Sequence, residues 1–429
     1  MMKKFFVSVG LVAAGSMSLY ADYAPDATDN SKIWTLSGTL RGFYDDNYLT
    51  LPNGQKEGSG GFEVSPSFTL NAPFEQTEIG VRYVYGLYYY QDRERLGQNP
   101  IDQSHEFDLW LDHAFTPRWE TRFEDTVTVA QEPQLLTTGT SGVSVPTRIN
   151  GNNLVNNGII SLTTDWTELF STKLSYANAF YTYENSGGNY ANPSLSGLLD
   201  RDENLISLNP QWQLTAQTMV FVGAQYGQVV FLSNESVAQN PVTEAIYNAS
   251  TRDNRSYYGY VGANHEFLDN LSGSIEAGVQ YTTYYDDPEA SDSLGPYGSA
   301  SLIYTYAPGS YAEIGVSESR NATDVINVSS SGQITEDEES TVVYGSINHS
   351  ITAKLVGSLT ADYQYSIYHD GAFDNQTADL TSLGVNLTYT FSPHFSADMG
   401  YNFDWYHTVV ALDQSYNRNR VYLGVTATY

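Results

Sequence analysis

The twelve residues 418–429, RNRVYLGVTATY, place an apolar or aromatic side chain at every second position up to Tyr429. The positions between them hold polar residues, glycine or tyrosine. This period-two alternation predicts a β-strand with one face against an apolar medium. A chain terminus usually frays unless it is tied down. We therefore expect this strand to pair with another one, near Trp34–Tyr44.

The same alternation recurs along the chain, for example in EIGVRYVYGLYY (78–89), LSGSIEAGVQYTTY (271–284) and TSLGVNLTYTF (381–391). Each run exceeds the usual ~5–6 residues of strands in globular proteins. The runs match the ~9–11 residues that a tilted strand needs to cross a bilayer. The pattern therefore predicts membrane-crossing strands whose apolar face contacts lipid.

Short and long connections alternate between these strands. We count eight short turns, such as FTPRWE (115–120), and nine longer loops, which give 18 strands. The expected fold is an all-β, transmembrane, antiparallel up-and-down β-barrel of about 18 strands. Sixteen strands remain the alternative, because the alternation is weakest near residues 208, 224 and 315. The predicted strand centres are residues 40, 66, 84, 110, 124, 159, 177, 208, 224, 261, 278, 301, 315, 346, 361, 385, 401 and 423.

Composition and charge narrow the class of protein. The 429 residues include 35 tyrosines, 35 glycines and no cysteine, and 16% of them are charged. The absence of cysteine excludes disulfide bonds and thiolate metal sites. The net charge of −30 argues against nucleic acid as a partner, because binding to phosphates needs a basic surface.

The first 21 residues have the layout of a secretory signal peptide. Two lysines precede an apolar run at 5–20, and the small residue Ala21 marks the expected cleavage site. The run is too short and too rich in Gly, Ser and Ala for a spanning helix. We therefore expect a signal peptide at 1–21, a short periplasmic segment at 22–32 and a single barrel domain at 33–429.

The segment RVYLGVTATY (420–429) resembles the C-terminal strand of bacterial outer-membrane β-barrels, and the chain is similar to porin-type barrels over residues 33–429. The resemblance implies an outer-membrane location and recognition of the last strand by the barrel-assembly machinery. Physical reasoning leads to the same fold, because only helices and closed sheets pair every backbone polar group in lipid.

If the apolar face of each strand contacts lipid, the other face points into the lumen. In the first five strands and the last two, this inward face is predicted to be unusually charged, and we name these residues the charged seam. The arginines of the seam are Arg41, Arg82, Arg118, Arg122, Arg418 and Arg420. The acids of the seam are Glu63, Glu106, Asp108, Asp112, Glu120, Glu124, Asp398 and Asp404.

Two interpretations of the charged seam stay open. The seam could line a pore and impose a transverse field that selects permeating solutes. It could also be a structural network, in which Glu63 lies between Arg41 and Arg82, and Asp108 lies between Arg82 and Arg122. The two roles are compatible with each other.

Three histidines precede short turns: His113, His265 and His349. They fall on the lipid-facing side of separate strands, at the same height, so they cannot converge on one metal ion. We expect them to belong to an interfacial girdle of amphipathic rings. No metal site and no cofactor is expected.

The long loops raise two further questions. The third loop, at 132–152, would narrow the channel if it folded inward, as the third loop does in many porins, although Glu132 is its only acid. Acidic clusters lie in predicted outer loops at 200–203, 286–289 and 335–339. Carboxylate oxygens suit Ca²⁺ or Mg²⁺, but no spacing here matches a known cation loop. We expect these acids to be solvated.

The sequence contains no H-E-x-x-H, nucleophile-elbow or phosphate-loop motif. We expect a non-enzymatic, porin-like outer-membrane channel for passive diffusion of small hydrophilic solutes or ions. A weak cation preference is expected because eight acids face six arginines in the seam.

The alternatives are a membrane-embedded hydrolase and a surface adhesion or structural barrel without an open pore. A soluble carbohydrate-binding β-sandwich is disfavoured by the strand lengths. The expected partners are outer-membrane lipid, the barrel-assembly machinery during biogenesis, small hydrophilic solutes and, as one option, two further copies in a homo-trimer.

Overall fold

The computed structural model describes residues 33–130, 153–287, 290–323, 325–410 and 415–429. The expected signal peptide, the segment 22–32 and the third long loop at 132–152 lie outside the described residues. Twenty strands are present in the described part of the chain, and eighteen of them form one closed sheet. The strands are β1 (Trp34–Asp45), β2 (Ser59–Pro73), β3 (Thr77–Tyr90), β4 (Ile101–Thr116), β5 (Trp119–Ala130), β6 (Asn153–Asp165), β7 (Phe170–Tyr183), β8 (Arg201–Thr215), β9 (Thr218–Phe231), β10 (Ser236–Gln239), β11 (Ile246–Asn248), β12 (Asn254–Leu268), β13 (Leu271–Tyr284), β14 (Ser293–Ala307), β15 (Ser310–Ala322), β16 (Asp337–Thr352), β17 (Leu355–His369), β18 (Thr377–Ser392), β19 (Phe395–Thr408) and β20 (Tyr416–Thr428).

Each barrel strand pairs antiparallel with the next one, and β20 closes the sheet by pairing with β1 from Ser37↔Thr428 to Asp45↔Arg420. The strands β10 and β11 form a separate hairpin in the loop between β9 and β12, which pair directly. The prediction of an 18-stranded antiparallel barrel is confirmed. Every predicted centre lies within a barrel strand, including the weak ones in β8, β9 and β15.

The connections differ in length at the two ends of the barrel. Eight short turns join β2 to β3, β4 to β5 and the later pairs at one end, which we call the short-turn end. The longer connections that the structure describes lie at the other end, the long-loop end. The long loops contain the helices α1 (Gln91–Arg95) and α2 (Leu195–Leu199) and the 3-10 turns η1 (Ala249–Arg252) and η2 (Gly371–Phe373).

The outer surface of the barrel is apolar and aromatic. In β1, Leu36 and Leu40 are half exposed, whereas the alternate positions are shielded on the opposite face. Aromatic rings cluster at the short-turn end, where Trp34 lies 5.7 Å from Tyr429 between ring centroids. Such interfacial rings form the girdle that is typical of membrane barrels. No helix within the described ranges is long and apolar enough to cross a membrane.

The inner face carries large aromatic side chains that lie directly opposite glycines on neighbouring strands. Tyr260 of β12 faces Gly223 of β9, and a Cβ atom at Gly223 would come within 2.0 Å of the tyrosine ring. The missing side chain lets the ring lie flat along the barrel wall, the arrangement known as aromatic rescue of glycine. The other pairs of this kind are Trp110 with Gly80, Phe221 with Gly262, Tyr344 with Gly315 and Tyr422 with Gly400.

The long-loop end of β15 leaves the barrel wall and crosses the inner face of β14. Pairing between β14 and β15 ends at Gly298↔Glu318, although β15 continues to Ala322. The side-chain amide of Gln280, on the inner face of β13, replaces the missing strand. It donates to the Arg320 carbonyl oxygen and accepts from the Arg320 N–H, each at 3.0 Å. We call residues 319–322 and 337–339, the ends of β15 and β16, the in-folded hairpin.

The long loops pack against one another across the mouth of the barrel, and we call segments 184–200, 232–253 and 325–336 the loop cap. Arg252 is fully buried at its centre. Its guanidinium donates to the carbonyl oxygens of Leu198 at 2.8 Å and Thr323 at 3.1 Å. These carbonyls follow β7 and β15, which are six strands apart, a chord of roughly 30 Å in a round barrel. The loops therefore reach inward from the wall.

The expectation that the acids at 335–339 are solvated is wrong. Glu336, Asp337 and Glu338 are 2%, 4% and 4% exposed. The reason is that β16 begins at Asp337 and is already paired there with both β15 and β17. Within the cluster at 286–289, Asp287 is also buried, and residues 288–289 lie outside the described ranges. In the cluster at 200–203, Arg201 is buried at the start of β8.

Candidate functional site: the charged seam

The charged seam is built around the closure of the barrel. Arg41 of β1 donates from Nε to Asp398 Oδ2 at 2.8 Å, two strands away on β19. The Arg41 Nη1 also lies 3.7 Å from Glu63 Oε1 on β2. Arg420 of β20 approaches the other oxygen of Glu63 at 3.9 Å. The Glu63 carboxylate, only 2% exposed, is therefore shared by two arginines.

A second group of ion pairs joins β3 to β4. Arg82 donates from Nε to Asp108 Oδ2 at 2.8 Å and also pairs with Glu106. The other oxygen of Asp108 accepts from the Thr126 hydroxyl at 2.9 Å. The predicted pairing of Asp108 with Arg82 is thus present, and the guanidinium is held between two carboxylates on one neighbouring strand.

Arg122 of β5 has the most exposed side chain among the ion-paired arginines of the seam, at 54%. Its Nε donates to Glu124 Oε1 at 2.7 Å, and it lies 3.7 Å from Asp112 on β4. Two further positions of the seam lie near the turn between β4 and β5. Arg118 lies exposed in the turn between β4 and β5, and Glu120 follows at the start of β5.

The seam extends to the long-loop end through Asp45, which the sequence analysis did not name. Arg418 of β20 donates from Nε to Asp45 Oδ2 at 2.8 Å, and its Nη1 lies 4.0 Å from Asp404. Asp45 is the last residue of β1 and is fully buried. The alternation of β1 places Asp45 on the same face as Arg41, so period two alone would have identified it.

The arrangement fixes charge rather than positioning a reactive group. Apart from Arg118, each guanidinium group of the seam lies within 4.0 Å of one or more carboxylates, which keeps its position and orientation nearly constant. Opposite charges then alternate along the inner face over β1–β5 and β19–β20. A low-dielectric wall behind such charges strengthens their field in the adjacent water. The seam can therefore attract, orient or repel charged solutes without changing its own shape.

The histidines noted in the sequence lie apart from one another. The Nδ1 atoms of His113 and His265 lie 2.7 and 2.9 Å from the hydroxyls of Thr77 and Thr218. His349 Nδ1 lies 2.9 Å from the Tyr306 hydroxyl. Across the described ranges, no group of three or more His, Asp or Glu residues is arranged to hold a metal ion.

Ion pairs of the inner side also occur outside the predicted seam. Arg201 and Glu203 of β8 pair at 2.6 Å, and the Arg201 guanidinium lies 4.0 Å from the centre of the Tyr181 ring. Arg320 and Asp337 of the in-folded hairpin pair at 2.7 Å. Sequence reasoning missed them because it assigned 200–203 and 335–339 to solvated loops.

The loop cap adds buried acids at the long-loop end. Burial and a hydrogen bond with Asp287 raise the pKa of Glu336 well above its usual range. Burial also raises the pKa of Asp253 to about 6, even though its carboxylate accepts a hydrogen bond from the Phe231 N–H at 2.7 Å. Both groups lie in loops beyond the spanning strands. We therefore expect the packing of the cap to depend on pH.

A family model described as "Putative beta-barrel porin 2" matches residues 35–429, which is nearly the whole chain. The chain belongs to this family. It is an outer-membrane β-barrel of the porin 2 type, and the resemblance stated from its last strand is confirmed. No curated protein matched the sequence.

Solved structures with a similar fold are also outer-membrane barrels. OccAB4 from Acinetobacter baumannii is 12% identical, with 93% of this chain and 99% of that chain covered and a TM-score of 0.43. The ferric enterobactin receptor PfeA from Pseudomonas aeruginosa, a Q482A mutant, is 11% identical, with 92% and 81% covered and a TM-score of 0.46. The FrpB iron transporter from Neisseria meningitidis is 10% identical, with 93% and 82% covered and a TM-score of 0.45.

Proposed function

We propose that this barrel is a passive diffusion channel for small hydrophilic solutes or ions, with a weak preference for cations. The observation that carries the proposal is the charged seam, a row of ion pairs on the polar face of seven adjacent strands. An ion pair fixed in this way costs desolvation energy that an apolar contact would avoid. A role in the passage of charged solutes explains why charge is concentrated here.

The cation preference rests on the balance of charge. The predicted seam comprises eight acids and six arginines, Asp45 adds a ninth acid to it in the structure, and the whole chain has a net charge of −30. Acidic groups near the mouths concentrate cations over a Debye length of ~10 Å at 0.1 M salt and ~3 Å at 1 M salt. The preference should therefore weaken as salt is raised.

The test is the reversal potential of the refolded protein in a salt gradient across a planar bilayer. Neutral substitution of Arg41, Arg82, Arg122 and Arg420 should increase cation preference, since it removes positive charge from the conduction path. The matched control replaces Arg95, an exposed arginine of α1 paired with Asp92. If the quadruple variant inserts normally and its reversal potential equals that of the parent, the seam does not line the path.

The loop cap favours a second candidate function. Loops that interlock over the mouth suit a surface-exposed adhesion or structural barrel without an open pore. The same bilayer recording separates the two functions, because such a barrel would insert without conducting. In either case we assign the short-turn end to the periplasm, and propose outer-membrane lipid and the barrel-assembly machinery as partners.

A homo-trimer stays a proposal, and one feature of the outer surface supports it. Asp125 of β5 shares the lipid-facing side with Leu109 and Ile160, according to the strand register. Its carboxylate accepts from the Asn156 side chain at 2.8 Å. A carboxylate facing hydrocarbon is costly, and a neighbouring copy would shield it. Cross-linking of the native membrane protein, with Asp125→Leu as the variant, tests this contact.

A further inference from the structure

Asp362 is a carboxylate of the inner wall that lies outside the charged seam. It occupies the centre of β17, on the face opposite the lipid-facing Leu359 and Tyr363, and is 7% exposed. Its Oδ2 atom is buried without a hydrogen-bond partner among the described residues. The charged group that acts on it is another acid, Asp404. A buried carboxylate at mid-depth of the membrane is costly unless a cation comes close to it.

Two neighbouring side chains present further oxygen atoms that accept no hydrogen bond. Gln364, the next inward residue of β17, donates from Nε2 to Ser366 at 2.9 Å and to Ser340 at 3.3 Å, while its Oε1 is buried without a donor. Ser382 of β18 lies directly opposite Asp362 and is the nearest hydroxyl to it, but no hydrogen bond of normal geometry joins the two. Gln364 and Ser382 are 4% and 3% exposed. Three oxygens that bulk water does not reach therefore lie on one patch of the wall.

Asp404 of β19 brings a second carboxylate to the same patch. It lies directly opposite Ser382 on the side away from Asp362, so the three residues form one row across β17, β18 and β19. Asp404 lies 4.0 Å from Arg418 Nη1, and Arg418 also pairs with Asp45. The positive charge beside this row is thus shared by two other acids, and the charge of Asp362 stays uncompensated. We call Asp362, Gln364, Ser382 and Asp404 the oxygen site.

The oxygen site is suited to a small, hard cation. Carboxylate, amide and hydroxyl oxygens are the ligands that such ions prefer. Ca²⁺ takes six to eight oxygens, usually with several carboxylates, and the described ranges hold no group of three or more acids or histidines that could hold a metal ion. All four side chains are less than a tenth exposed, so a bulky organic cation would have to displace them. A monovalent metal ion fits both the single uncompensated charge and the limited access.

We propose that the oxygen site binds a small monovalent cation, Na⁺ or K⁺, on the inner wall of the barrel. The proposal rests on the proposed channel function, because the cation enters from the lumen, and it names the class of ion that the channel takes. The site differs from the seam, where arginines already compensate the carboxylates. A few oxygen ligands around one carboxylate bind a cation strongly enough for it to enter and weakly enough for it to leave.

The experiment is sodium NMR relaxation with the refolded full chain in a non-ionic detergent, with protein-free micelles as the blank. Potassium chloride and choline chloride are added in turn as competitors. Asp362→Asn removes the charge of the oxygen site. Ser382→Ala alters the same site without removing a charge, and keeps the test valid if the first variant does not assemble. The matched control is Glu313→Gln, which removes an acid from the inner face of β15 outside the site.

We expect the parent and the control to increase the relaxation rate of sodium ions, and potassium, but not choline, to reverse the increase. Asp362→Asn should weaken Na⁺ binding about tenfold or more, since a charge-assisted contact is lost, and Ser382→Ala should weaken it by a smaller factor. Heat-modifiable migration verifies that each variant is a folded barrel.

No increase in relaxation with a folded parent overturns the proposal. Equal effects of Asp362→Asn and Glu313→Gln would show that the general charge of the lumen attracts the ions, and would overturn the location. Reversal by choline as readily as by potassium would overturn the ion class. Relaxation needs no conduction, so specific Na⁺ binding by a non-conducting barrel would support the oxygen site and contradict only the channel.

Discussion

Leu36 and Tyr429 exchange two backbone hydrogen bonds, from Tyr429 N to Leu36 O at 2.8 Å and from Leu36 N to Tyr429 O at 3.1 Å. The last residue of the chain is thereby part of the closing ladder between β1 and β20. Its ring also contacts Trp34 in the aromatic girdle. The regular ending of the sequence thus has a direct structural reason.

Deletion of Tyr429, or Tyr429→Asp, should impair assembly of the barrel. The deletion removes both hydrogen bonds, and the carboxylate of the substitution replaces an interfacial ring, for a loss of about 1–3 kcal/mol. Tyr429→Phe retains the ring and the backbone and serves as the control. The measurement is the amount of heat-modifiable, protease-resistant barrel in the outer membrane. Parental amounts of the Asp variant would contradict this role of the last residue.

Gly223→Val should destabilise the barrel by about 1–3 kcal/mol, because the new side chain would collide with the Tyr260 ring and push it into the lumen. Gly259→Val is the matched control. Gly259 is a strand glycine next to Tyr260, but a Cβ atom there meets nothing within 4 Å. Urea unfolding in lipid vesicles gives both stabilities. Equal effects of the two substitutions would show that the glycine and the ring do not depend on each other.

The loop cap should be more tightly packed in acid. The pKa values of Glu336 and Asp253 are raised in the folded state. Their contribution to stability is therefore complete below the ordinary carboxyl pKa and is lost as pH rises through the folded values, which for Asp253 is about 6. A nitroxide on Ser331→Cys, in a chain without native cysteine, reports mobility of the cap between pH 5 and 8.

Glu336→Gln provides the control for this pH response. Glu336 is buried beside Asp287, Asp337 and Arg252, and glutamine remains neutral at every pH. We expect a smaller increase in nitroxide mobility with pH in this variant, with the remainder due to Asp253 and Asp200, because burial raises the pKa of both. An unchanged response in the variant would exclude Glu336 as a source of the effect.

Cysteines at Ser291 and Ser331 should react with an impermeant thiol reagent on intact cells, and a cysteine at Ala307 should not. The two serines are exposed in long loops, and Ala307 ends β14 at the short-turn end. The neighbouring Gly332 is unsuitable, since its φ of +99° and its burial would strain a side chain. Labelling at Ala307 alone would reverse the proposed orientation.

Much of the barrel follows from period-two alternation. Lipid contacts one face of each strand and polar groups lie on the other face, so apolar and polar residues alternate along the strand. That rule identified all eighteen barrel strands and brought Arg41, Glu63 and Asp398 onto one face. The pairing partners within the seam depend on register, which alternation does not specify. Register is also what places Tyr260 opposite Gly223, so the pairs of glycine and aromatic ring were not predictable.

The in-folded hairpin is buried by tertiary packing, which outweighs the polarity of its sequence. The segment 335–339 is strongly acidic, and polarity alone assigned it to solvent. In the structure, backbone pairing on both sides from Asp337 onward and the Arg320 guanidinium compensate for the burial of Asp337. One local signal was available: Gly295 and Pro296 lie within β14, opposite the residues where β15 departs. Proline inside a strand marks an edge or an irregularity.

The departure of β15 also has a mechanical consequence. A closed barrel resists opening through the backbone pairing between adjacent strands, so it should open where this pairing is shortest. The pairing of β14 with β15 covers only Gly298–Ala307 of β14, whereas the pairing of β16 with β17 covers Asp337–Thr352 of β16. The closing pairing between β1 and β20 is also short. Under lateral tension the barrel should separate at these two strand pairs, into one sheet of twelve strands and one sheet of six.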